Sequence, residues 1–122
     1  MVYYNILTRG GFMAEDSLPP DKRRSGRILV ELPIQVSGTD STGRGFIVYT
    51  HTQVVSRYGA KIFVSHGLVP EQILQVSCPA VGKDAEARVI ALFDREKDGF
   101  SYGIEFINRN LDFWNMPFPP VT

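Results

Sequence analysis

Four cations stand within the seven residues Asp21-Lys22-Arg23-Arg24-Ser25-Gly26-Arg27, and they are the group best suited to chemistry in this chain. A guanidinium forks bidentately onto phosphate oxygens and stacks on planar bases. Arg23 and Arg27, spaced Arg-x-x-x-Arg with Gly26 as a pivot, can therefore converge on one anionic ligand. The null alternative for such a charge run is a solvated linker. A second constellation, Val54-Val55-Ser56-Arg57-Tyr58-Gly59, sets a hydroxyl and a glycine three apart in a turn, where Ser56 and exposed backbone can hydrogen-bond a base edge. Gly59 has a plainer use as well, a tight turn needing a positive φ angle.

Catalytic and metal chemistry is poorly provided for. His51, His66, Cys78 and the scattered carboxylates show no spacing that sets a base beside a nucleophile, so neither an enzyme nor a structural zinc site is expected. Gly38 to Gly45 has the outline of a phosphate-binding loop. It fails because Arg44 replaces the lysine, Gly45 replaces the magnesium-binding hydroxyl, and a strand follows where a helix is needed, which leaves a hairpin.

The whole chain has 122 residues with 13 basic and 13 acidic side chains, so the arm's local +3 is offset by −3 elsewhere. No global field attracts a nucleic-acid polymer or an anionic membrane, and an anionic partner must be held by a local cluster. A 43% hydrophobic share with eight Phe, five Tyr and one Trp argues for one folded domain over disorder. Cys78 alone excludes an internal disulfide, and no apolar run approaches the ~18–20 residues of a membrane span. Met1 to Thr8 lacks the basic lead and cleavage site of a secretion signal, so a cytoplasmic protein is expected, with Met13 a second possible start.

The elements that must position these residues are strands. Ile28, Val30, Leu32, Ile34 and Val36 alternate with polar neighbours in a first strand, edged or bent at Pro33. Ser37 to Gly45 reads as a hairpin loop. The second strand sets Phe46, Val48, Thr50, Thr52 and Val54 on one face and Ile47, Tyr49 and Val55 on the other. Ala60 to Val64, Ile73 to Cys78, and Ala85 to Phe93 make three more. The turn Glu96-Lys97-Asp98-Gly99 leads to a sixth, with Phe100, Tyr102, Ile104 and Phe106 on one side. Six short antiparallel strands predict an all-β barrel or sandwich. Asn110 is placed to cap a short C-terminal helix from Leu111 to Met116, stopped by Pro117, and Phe113, Trp114 and Phe118 are expected to plug an open end or edge of the barrel. The expected layout is a flexible extension over 1–20, a barrel with its arm over 21–110, and a helix and proline-rich tail over 111–122.

In order and spacing, Arg23-Arg24-Ser25-Gly26-Arg27, then Val54-Val55-Ser56-Arg57-Tyr58-Gly59, then Gly103-Ile104-Glu105-Phe106 resemble the PilZ domain over about residues 21–110. That resemblance implies a six-stranded β-barrel receptor for the bacterial second messenger cyclic di-GMP, needing no other cofactor. It places Arg23, Arg24 and Arg27 on the ligand's phosphates and guanines and has Ser56 and Gly59 seat a guanine, with the arm closing over the ligand. It also implies a downstream protein partner. Val54 departs from the family motif, which has Asp or Asn there to satisfy a guanine edge. The alternative reading is therefore a divergent barrel that has lost the nucleotide and acts as a protein-interaction adaptor, its aromatic tail available to a partner.

Overall fold

The computed structural model describes residues 26–119, and it is built from seven strands: β1 (Arg27–Leu29), β2 (Pro33–Thr39), β3 (Gly45–Ser56), β4 (Gly59–Val64), β5 (Ile73–Cys78), β6 (Lys83–Glu96) and β7 (Gly99–Phe106). Every pairing is antiparallel. Six strands follow the order β3-β2-β5-β6-β7-β4, and a β3–β4 pairing closes them into a barrel, with β1 an additional strand on β3. The barrel interior is filled by Ile34, Val36, Phe46, Val55, Ile62, Val64, Leu74, Val76, Val89, Tyr102 and Ile104, all buried. These are the alternating apolar positions of each strand, so the period of two that marks the strands also fills the core.

The single first strand expected from Ile28 to Val36 is divided in two. β1 pairs with Val54–Ser56 and β2 with Gly45–His51 along the same long β3, and the register slips by one residue between them. Thr52 holds the break. Its Oγ1 donates to the Val30 carbonyl at 2.7 Å and accepts the Leu32 amide at 2.9 Å, satisfying backbone groups that leave the ladder ahead of Pro33. The loop is also shorter than expected: β2 runs on to Thr39 and β3 begins at Gly45.

A bulge between Thr52 and Val54 corrects the expected facing of β3. Past it the alternation inverts, so Val55 enters the core while Val54 turns outward to pack with Ile90, Ala91 and Phe93. Two bulges in β6, between Val89 and Ala91 and between Leu92 and Asp94, bring that apolar group out on the same side.

No helix forms between Leu111 and Met116. Instead Asn108 organises a turn, its Oδ1 accepting the Asn110 amide and its carbonyl the Leu111 amide. Asn115 takes a left-handed φ of 56°. The reason lies in the adjacent aromatics: Phe113 and Trp114 are both 0% exposed, whereas a one-turn helix turns neighbouring side chains about 100° apart and is itself marginal in water. Irregular backbone lets both rings insert beside Phe106, at centroid distances of 4.5 and 5.6 Å. Phe113 and Trp114 are therefore part of the core.

Candidate functional site

The strand registers bring Arg27, Ser56 and Gly59, three of the predicted residues, together on one side of the barrel. Arg27 pairs with Ser56, Ser56 with Gly59, Gly59 with Glu105, and Glu105 with Arg88, making one transverse row across β1, β3, β4, β7 and β6. The adjoining row, ~7 Å away along the strands, is Leu29, Val54, Lys61, Gly103 and Ala91. Residues 27 and 56 are thus brought side by side although 29 positions separate them in the chain. Arg23 and Arg24 lie outside the described residues.

Burial distinguishes this face from an ordinary solvated surface. Arg27 is 2% exposed, Ser56 4%, Val54 6% and Lys61 8%. Charged side chains are rarely buried so fully unless other groups answer them, and both cations here have partners. The Lys61 ammonium lies 4.8 Å from the centroid of the Phe93 ring and 3.8 Å from Asp94 Oδ2. At the far end of the first row Glu105 is approached by Arg109 at 3.7 Å, and Arg109 in turn sits over the Tyr58 ring.

Gly59 is fixed by its neighbours and not by its backbone angle. Among the described glycines only Gly43 and Gly82 have positive φ. A Cβ at Gly59 would instead overlap the carbonyl oxygen of Ile104 on β7. Its own carbonyl accepts the indole N–H of Trp114 at 3.1 Å, so the C-terminal segment is anchored under the turn that carries Ser56. Gly26 is similarly close to that segment, its amide donating to the Pro119 carbonyl at 3.0 Å.

Lys61, Phe93 and Asp94 were not singled out by sequence reasoning. One signal was available: Lys61 interrupts the apolar run Ala60-Lys61-Ile62 at the outward position of a buried strand. The bulges that turn Val54 and Phe93 to this face have no such mark in the sequence.

A closed six-stranded antiparallel barrel, with an arginine-bearing edge strand laid beside a Ser-x-x-Gly turn, defines a small β-barrel module with a polar outer face. The family model for the PilZ domain matches residues 21–113, and the chain belongs to that family. Solved structures agree on the fold. The Bacillus subtilis inhibitor of motility MotI/DgrA aligns with a TM-score of 0.54 and 18% identity over 71% of this chain and 43% of its own. The PilZ domain of Escherichia coli YcgR, solved with c-di-GMP, aligns with a TM-score of 0.52 and 16% identity over 71% of this chain and 79% of its own. Escherichia coli YcgR in complex with c-di-GMP aligns with a TM-score of 0.51 and 15% identity over 71% of this chain and 38% of its own. No curated protein matches the chain. PilZ domains are ligand-binding receptor modules and not enzymes. Among the described residues no helix is long and apolar enough to cross a membrane, and no group of His, Cys, Asp and Glu is arranged to hold a metal ion.

Proposed function

We propose that this chain is a cyclic di-GMP receptor module whose ligand seats on the outer face marked by Arg27, Ser56 and Lys61. The observation that carries this reading is the Arg27–Ser56–Gly59 row, in which the last cation of the basic arm is paired in register with the hydroxyl of the turn. Arg27 supplies bidentate donors to a phosphate, Ser56 a hydroxyl to a base edge, and Gly59 a backbone approach unobstructed by a side chain. Arg23 and Arg24 join Arg27 from the arm, and binding holds residues 21–27 against the barrel, changing the surface that a downstream protein partner meets. The two phosphates of one small dianion suit a net-neutral protein with a local basic cluster better than a long polyanion does.

Titration calorimetry of the intact chain with c-di-GMP tests this. The expected result is 1:1 or 2:1 ligand binding that weakens as salt rises from low to near-physiological strength, because arginine–phosphate attraction is screened. Ser56→Ala should weaken it about 5- to 20-fold, the value of one hydrogen bond to a charged or polar ligand group. An absence of heat at millimolar ligand would instead favour the adaptor reading. Tyr49 and Ile47, 83% and 65% exposed on β3, are the apolar surface such an adaptor would present.

A further inference from the structure

We propose that Lys61 and Asp94 together read the Watson–Crick edge of a guanine, doing from β4 and β6 what the outward Val54 of β3 cannot do. The inference rests on the receptor reading above and specifies its base selectivity. Val54 and Lys61 are direct cross-strand partners, so Lys61 stands beside Val54 in the row next to Ser56. Lys61 is 8% exposed, and among the described residues it forms an ion pair with Asp94, whose Oδ2 stands 3.8 Å away, beyond hydrogen-bond distance. The ammonium lies over the Phe93 ring, which attracts and orients the cation without taking its donors. Next in the row is Gly103, which has no side chain to close the space.

Asp94 completes the pattern. Its carboxylate is 56% exposed and separated from the ammonium by a gap that no hydrogen bond closes. Guanine presents an acceptor, O6, beside two donors, N1–H and the 2-amino group, whereas adenine reverses the order at its 6-amino group and N1. A donor cation next to an acceptor carboxylate matches guanine and opposes adenine. Lys61 would donate to O6, and Asp94 would accept from N1–H and the 2-amino group. Phe93 is a positioning residue in this arrangement.

The test is calorimetry of the intact chain with cyclic di-GMP, cyclic di-IMP, which lacks the 2-amino group, and cyclic di-AMP, repeated for Asp94→Ala and Lys61→Met. The natural chain should bind the inosine dinucleotide about 10-fold more weakly than the guanine one, and the adenine dinucleotide more weakly still. Asp94→Ala should erase the guanine–inosine gap, and Lys61→Met should weaken both ligands about equally while preserving it. Asp94 is a surface residue, so its variant decides the matter even if Lys61→Met fails to fold. An unchanged guanine–inosine gap in Asp94→Ala, or equal binding of the two ligands by the natural chain, overturns the inference while leaving the receptor reading intact. Failure of the natural chain to bind any of the three overturns both.

Discussion

Gly59 shows at a single residue how structure and site are joined. Any side chain there collides with the Ile104 carbonyl, so the sequence spacing Ser-x-x-Gly reflects how closely β4 must approach β7. Gly59→Ala should lower stability by about 3 kcal/mol, as overpacking against fixed backbone does, measured by urea denaturation. A loss of ligand affinity without loss of stability would show that the glycine serves the ligand alone. Arg27 and Ser56 are picked out in the sequence by residue type and spacing, and the strand register sets them side by side. What Val54 faces was not legible there, since strict alternation along β3 would put it with Phe46 and Val48, and one extra residue at the bulge moves it outside. Lys61 escaped notice for the same reason: its significance comes from a cross-strand neighbour.

At the scale of elements, the strands follow the apolar alternation outside the bulges of β3 and β6. Two expected elements are remade by side chains. Thr52 divides the first strand by bonding to both sides of the break. The C-terminal segment gives up its helix to bury two rings, each of which would cost about 3–5 kcal/mol if truncated to alanine. The β2–β3 connection is organised by Asp40, whose Oδ1 accepts the Thr42 hydroxyl at 2.6 Å and the Thr42 and Arg44 amides at 2.9 and 3.0 Å. Its Oδ2 lies 3.6 Å from His66, which stacks on Phe46, while the Ser41 amide donates to Gly67. The Thr42 hydroxyl first, and then the Arg44 amide, hold the Asp40 carboxyl down to about 2. A folded-state value below the unfolded one means that the carboxylate's stabilisation is fully present above about pH 4 and is lost as pH falls toward 2. Thermal melts from pH 5 to 2 should therefore fall less steeply for Asp40→Asn than for the natural chain. Parallel curves would show that this loop contributes nothing to acid unfolding.

Over the whole molecule, zero net charge conceals an uneven distribution. Arg27 and Lys61 lie on the face described above with Glu105 and Asp94 beside them, and Arg88 stands at its rim against Glu71. The opposite sheet surface has a shallow depression of about 230 Å³ lined by Gln35, Ser37, Gln75, Val76, Ser77 and Asp84, without a cation. An anionic dinucleotide has electrostatic reason to choose the first and none to choose the second. The most direct measurement is titration of the isotopically labelled chain with cyclic di-GMP, followed through its backbone-amide NMR signals. The account predicts shifts concentrated at residues 27–29, 54–61 and 103–105, with Gln35, Ser37, Gln75 and Ser77 unmoved. An unperturbed spectrum at millimolar ligand, or shifts centred on the Gln35–Asp84 surface, would contradict it.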